Sequence, residues 1–335
     1  MTAATALVTG QRPIPELARD AVTQALSKAG LTRADNVILF LSRDFARNPQ
    51  AAVVAAARAA GSLSICGCTA NGLLTEEGWQ LDQSAAAALV IASPTAPCQQ
   101  RTPLLSFSTH SRLPYAWQTD QPRAGLLDSD GATWAHGRIA EDGCAEFQLP
   151  VTCTHQALST GLRPLADALK VEQCRGYELQ RIGSHSAIES LIRALPPELR
   201  DNPPLHQIAL LRAPDEPGIA LLSANADGSI SLAEQVEQGS SLTWAIRQPL
   251  TAEQQMRSAL IAATSVPDFA LMFSCIGRGP LFYDSDDLDL QAFRQTFPDT
   301  PLLGAYGTSQ IVPRQGHNRL FHNAALALLF ESPHV

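Results

Sequence analysis

The chain has 335 residues, 45% hydrophobic and 17% charged, which suits a folded protein of about two domains and excludes extended disorder. A formal net charge of -8 with scattered arginines excludes a nucleic-acid partner. Two lysines, Lys28 and Lys170, neither behind a glycine loop, exclude a Walker-type nucleotide site.

The N-terminus has no basic segment followed by an apolar stretch, and the longest apolar runs fall well short of the ~20 residues that span a bilayer. A soluble, cytoplasmic protein with no membrane partner is expected. Seven cysteines in a reducing compartment predict free thiols packed as small hydrophobes. Cys66-Gly67-Cys68 has no matching pair elsewhere, which argues against structural zinc.

Residues 15–28 carry Leu17, Ala21, Val22, Ala25 and Leu26 at helical spacing. Residues 37–41 are a continuous apolar run ending at Ser42, which predicts a strand buried on both faces. Residues 49–60 read as a helix closed by Gly61, residues 63–66 as a short strand running into Gly67, and residues 84–93 as a central strand. Residues 94–131, rich in Pro, Ser and Thr, carry no regular pattern. Residues 133–140 and 144–149 flank Glu141-Asp142-Gly143, a hairpin signature. A strand at 177–182 leads to a helix at 186–195 with Ile188, Leu191, Ile192 and Leu195 on one face.

The proline-rich stretch 196–204 predicts a boundary between domains 1–203 and 204–335. Residues 207–211, 219–223 and 230–236 predict an antiparallel meander that turns at Asp227-Gly228. Residues 251–264 predict a helix, with Thr251 and Gln254 spaced as a capping box. A buried strand at 269–273 ends at Ser274, a helix covers 288–297, Leu302-Leu303 lead into Gly304, and 323–330 is a last apolar run.

The two ends repeat one order: helix, strand, Ser, helix, short strand, Gly, loop, strand. NVILFLS (36–42) matches DFALMFS (268–274), and ICGCTANGLL (65–74) matches LLGAYGTSQI (302–311). Roughly twenty residues separate Gly67 and Gly304 from their following strands. This predicts an internal duplication. The expected fold is α/β of mixed α+β character: two pseudo-repeated halves, with mixed sheets flanked by helices, in a layered sandwich.

FSCIGRG (273–279) with GAYGTSQIVP (304–313), SLSICGCTANGLL (62–74) and GYELQRIGSHSAIESLI (176–192) together resemble the FIST family over nearly the whole chain. The resemblance makes 1–203 an N-terminal-like and 204–335 a C-terminal-like FIST domain. It implies an intracellular sensory module for signal transduction that binds a small ligand, with an amino acid or organic acid suggested. Some bacterial members of the family are haem proteins that sense nitric oxide through a histidine kinase, and eukaryotic members join an F-box. No F-box, kinase or chemoreceptor segment is visible in this sequence, so a separate output partner is expected. The sequence departs from the family in Gln310, where an acid is usual, in Ser309, where a glycine is usual, and in Ala324, where a threonine is common.

The loops carry the candidate ligand contacts. Ser274, Cys275 and Gly277 lead to Arg278, which can clamp a carboxylate with two parallel hydrogen bonds, or pair with a surface acid such as Asp284. Gly304, Tyr306, Gly307, Ser309 and Gln310 form a second loop, and Cys68, Thr69 and Asn71 its N-terminal counterpart. His322 and Asn323 can bond a polar ligand. His322, His317 or His185 would be the axial ligand if haem is bound. Cys275 with His317 or His322 as base would make an enzyme, the less favoured reading. Asp284, Asp286, Asp287 and Asp289 lack the pattern of a calcium loop and read as solvated acids at a helix start.

Overall fold

The computed structural model describes residues 1–92 and 102–332. The chain forms two compact units, Met1–Ser159 with Gln255–Val335, and Thr160–Gln254. The join expected at 203/204 lies inside the second unit. Residue 93 of the expected central strand, and 94–101 of the stretch without pattern, lie outside the described residues.

The first unit opens with β1 (Thr2–Gly10), α1 (Pro15–Ala29), β2 (Asn36–Ser42), α2 (Pro49–Ala60), β3 (Ile65–Ala70), β4 (Gly72–Thr75), β5 (Gly78–Gln80) and β6 (Ser84–Ala92). Then follow β7 (Leu104–Ser108), β8 (Arg123–Leu127), β9 (Thr133–Ala135), β10 (Arg138–Ile139), β11 (Cys144–Phe147) and β12 (Thr152–Ser159). The second unit holds β13 (Leu162–Pro164), β14 (Leu169–Arg175), β15 (Glu178–Ile182), β16 (His185–Ser186), α3 (Ala187–Ala194), β17 (Ile208–Leu211), β18 (Ile219–Ala224), β19 (Ile230–Leu232) and β20 (Ser241–Arg247). α4 (Pro249–Ile261) carries the chain back to β21 (Phe269–Cys275), α5 (Leu288–Thr296), β22 (Leu302–Gly307), β23 (Ser309–Arg314), β24 (His317–Phe321) and β25 (Ala325–Glu331). Among the described residues no helix is long and apolar enough to cross a membrane.

Local chemistry accounts for the helices. α1 and α2 each have a proline in the first turn, where its missing N–H costs nothing, and each ends on a left-handed glycine, Gly30 or Gly61. α4 starts with Pro249, so Thr251 sits inside its first turn rather than capping it. Ser186 caps α3 by accepting the Glu189 N–H.

Two six-stranded sheets share one wiring. In the first, with order β1-β6-β2-β3-β9-β10, β6 is antiparallel to β1 and β2, while β2 and β3 run parallel. In the second, with order β12-β25-β21-β22-β4-β5, β25 is antiparallel to β12 and β21, while β21 and β22 run parallel. The strand β4 leaves the first half and pairs with β22 of the second. A five-stranded sheet, β11-β7-β8-β23-β24, completes the unit.

Side-chain alternation sets the layers. Along β2, Ile38 and Phe40 face the central core, while Val37, Leu39 and Leu41 face α1 and α2. Phe40, Phe107 and Phe273, one from each sheet, meet edge-on with centroids 5.6, 6.0 and 6.2 Å apart. The outer face of the second sheet packs on Met256 and Leu260 of α4 and on Leu290 and Phe293 of α5.

The second unit contains a sheet that closes on itself, β20-β14-β15-β19-β18-β17 and back to β20, with β13 beside β14 on one edge of β20. Leu191 and Leu195 pack among its inward side chains, and the Trp244 indole N–H donates to Ser190 Oγ at 3.1 Å. The expected meander is β17–β19, part of this closed sheet.

One expected hairpin is overturned. Residues 133–140 form a hairpin by themselves, turning at His136 and Gly137, both at positive φ, whereas β11 pairs with β7 in another sheet. Two consecutive left-handed residues match the twist of a tight hairpin, and Glu141-Asp142-Gly143 forms only the turn into β11.

Candidate functional site

The loop after β21 is built around a buried cation. Arg278 is 1% exposed. Its Nε and one terminal nitrogen donate to the two Asp289 oxygens at 2.8 and 2.9 Å. The guanidinium also donates to Ser159 O at 2.9 Å, Ser159 Oγ at 2.7 Å and the Tyr283 hydroxyl at 3.4 Å. Burial works against the charge, and Asp289 and Tyr283 more than offset it, so the Arg278 pKa rises. The partner is therefore Asp289 rather than Asp284.

Asp287 and Asp289 are buried, which corrects their reading as solvated acids. Asp287 caps α5 through the Leu290 N–H at 3.0 Å and accepts the Tyr306 hydroxyl at 2.5 Å. Burial and the neighbouring Asp289 raise its pKa, against the hydrogen bond from Tyr306. Packing leaves little room here, since a Cβ on Gly279 would stand 2.6 Å from the Tyr306 ring and one on Gly277 2.6 Å from Asn323 Oδ1.

The other C-terminal candidates are spread over several sites. Ser274 Oγ is buried without a hydrogen-bond partner among the described residues, as are both polar atoms of the Gln310 side chain. Cys275 Sγ lies 3.5 Å from Thr308 O and 3.9 Å from Asn323 Oδ1. Gly304 lets β22 approach the carbonyl of Met272, and Gly307 lets it approach that of Leu127. Exposed His322 shares a 2.9 Å hydrogen bond with Ser309 through Nδ1. Exposed His317 lines a cleft of about 350 Å³ with Asp120, Arg314 and Asn318. His185 lies in the second unit, 3.4 Å from Glu189.

In the first half, Cys68 is buried, and burial pushes its thiol pKa up. Thr69 is buried too, its Oγ1 accepting the Ala132 N–H at 2.8 Å. Asn71 instead reaches a cleft of about 770 Å³, lined also by Gln11, Ser42, Arg43, Asp44, Asp82 and Ser84. This cleft sits where the parallel pair β2 and β3 ends and β6 begins, the position at which α/β sheets place ligands.

The cleft has a polar floor. Asp44 accepts hydrogen bonds from Ser42 Oγ at 2.6 Å and from Ser84 Oγ. Arg43 donates to Asn71 Oδ1 at 3.0 Å and to Ser129 O, and its side chain is 42% exposed. Asn71 Nδ2 donates to Asp128 Oδ1 at 2.7 Å. Asp128 is buried, with its second oxygen lacking a partner among the described residues. Burial pushes its carboxyl up to about 7, while Arg43 and Asn71 act in the opposite direction.

The two signature loops meet. The Asn71 N–H donates to Tyr306 O at 2.9 Å, and Leu127 O accepts both the N–H and the hydroxyl of Thr308. Sequence reasoning found Asn71 but missed Arg43, Asp44, Ser84 and Asp128. The rule that ligands gather at strand carboxyl ends would have reached Arg43 and Asp44, directly after the landmark Ser42. Asp128 falls in the stretch without pattern and left no signal.

The FIST C domain model matches residues 188–313, a span that crosses from the second unit into the first. An uncharacterized protein of Mycobacterium tuberculosis is 26% identical over 226 residues, covering 57% of this chain and 55% of that protein. An uncharacterized protein of Mycobacterium bovis is 25% identical over 210 residues, covering 57% and 54%. F-box only protein 22 of Homo sapiens is 28% identical over 96 residues, covering 27% and 24%. The chain thus spans about half the length of its mycobacterial relatives.

Proposed function

We propose that this chain, whose residues 188–313 match the FIST C domain model, is a small-ligand sensory protein whose ligand occupies the cleft beside Arg43 and Asn71. The carrying observation is a half-exposed guanidinium at the rim of a polar cleft of about 770 Å³, a volume that suits a small molecule. An amino acid or organic acid fits this chemistry, its carboxylate meeting Arg43. Arg278, the carboxylate clamp expected from the sequence, is already committed to Asp289 and is assigned a structural role.

Signal output requires the ligand to bind two conformations unequally. An occupant that engages Arg43 or Asn71 competes with the Arg43–Asn71 hydrogen bond or with the one from Asn71 to Asp128, and Asn71 is itself bonded to Tyr306. The readout is a changed affinity for a partner protein, of which a histidine kinase is one type.

Thermal-shift screening of amino and organic acids tests the reading. A ligand should raise the melting temperature of the wild type, and Arg43→Ala should abolish that rise. A rise retained in Arg43→Ala would remove the cleft from the proposal.

A further inference from the structure

The strands β7 and β11 pair with Cys144 directly opposite Ser108. His110, two residues beyond Ser108, folds back over the pair. Its Nδ1 lies 2.9 Å from Ser108 Oγ and 3.5 Å from Cys144 Sγ, and the two side-chain heteroatoms opposite each other are 3.7 Å apart. The His110 backbone N–H donates to Ser108 Oγ at 3.1 Å, which leaves the hydroxyl hydrogen for the ring or the sulfur. His110 is exposed and Cys144 is half-buried, so a small reagent reaches the sulfur.

Partial burial, Asp142 and Glu146 push the Cys144 thiol pKa up, against the hydrogen bond from Ser108. The resting group is therefore a thiol, and its reactivity depends on a base in contact with it. Cys153 and Cys174 provide a contrast within the same chain. Both are half-buried, and their sulfurs donate to the carbonyls of His155 and Val236, which cannot take a proton.

The geometry points to Cys144 as a modification site for small, uncharged soft electrophiles of the conjugated-enone class, with His110 as base and Ser108 as donor to the sulfur. The sulfur attacks the β-carbon while the thiol proton passes to His110 Nδ1. The π electrons move to the α-carbon, which then takes the proton from the imidazolium. One C–S and one C–H bond form, the S–H bond and the C=C π bond are lost, and no oxidant is consumed. The preference for uncharged reagents follows from Asp142, whose Oδ1 accepts the Cys144 N–H at 3.1 Å, and from Glu146, which is shared with Arg123.

The test treats the full chain with N-ethylmaleimide at neutral pH and follows each cysteine by peptide mass spectrometry. Cys144 should react at least about tenfold faster than Cys153 and Cys174, a modest demand beside the roughly 10²–10⁴-fold typical of general-base catalysis. His110→Asn, which retains an acceptor near the Nδ1 position but removes the base, should slow Cys144 by about tenfold without changing the melting temperature. Against a dianionic aromatic disulfide, Cys144 should lag behind a free model thiol normalised to the same maleimide rate. A Cys144 rate no higher than those of Cys153 and Cys174, or an unchanged rate in His110→Asn, overturns the site. An equal response to the dianion overturns its selectivity.

Discussion

Single residues here are decided by what their neighbours leave unpaired. Arg278 and Asp289 form a buried pair whose removal from one side strands the other charge. Arg278→Ala should therefore cost roughly 3–5 kcal/mol, read as a lower urea midpoint. Arg278→Lys should also destabilise, because an ammonium cannot fork onto both Asp289 oxygens. Asp128 carries a pH signature. Its carboxyl is pushed from the ordinary 3.8 to about 7, so between those values the unfolded chain releases a proton that the folded chain keeps. Its contribution makes stability fall as pH rises through that window and level off above it. Melting curves of wild type and Asp128→Asn from pH 5 to 8 should diverge, with the variant the more stable at pH 8. Parallel curves would count against a protonated, buried carboxyl.

At the scale of elements, the glycines that mark the two similar sequence segments have a shared physical purpose. A Cβ on Gly67 would stand 1.8 Å from Leu39 O, and one on Gly304 would stand 2.4 Å from Met272 O. Each glycine lets the second strand of a parallel pair lie close to the first. Gly67→Ala drives a methyl group into backbone rather than a movable side chain. The expected loss is about 3 kcal/mol, the upper end of overpacking costs, measured by chemical denaturation. The two six-stranded sheets share one wiring, and β4, which follows β3 in the chain, pairs with β22 in the other sheet. That choice is invisible in the strand's own residues, because the apolar run Gly72–Thr75 does not name the strand it pairs with.

For the whole molecule, the chain leaves the first unit after Ser159 and returns at Gln255, the start of α4 lying before that point. The closed sheet of the second unit pairs its own strands and fills its own core. Native-state hydrogen exchange in denaturant should resolve at least two cooperative openings, one for the amides of β14–β20 and one for those of β2, β6, β21 and β25. A single opening for all of them would show that the two units unfold together.

The sequence by itself determined the helices at 15–28 and 49–60, the buried strands at 37–41 and 269–273, the turn at Asp227-Gly228 and the resemblance to FIST domains. Each rests on local signals: helical spacing, proline at a start, left-handed glycine at an end, or an apolar run that only two covered faces can bury. Only the tertiary structure decided that Arg278 is spent on Asp289, that Arg43 and Asn71 share an open cleft over Asp128, and that Ser108, His110 and Cys144 meet. Those outcomes depend on which strands pair at long range and how much water each polar group keeps, and neither is written in the spacing of residues along the chain.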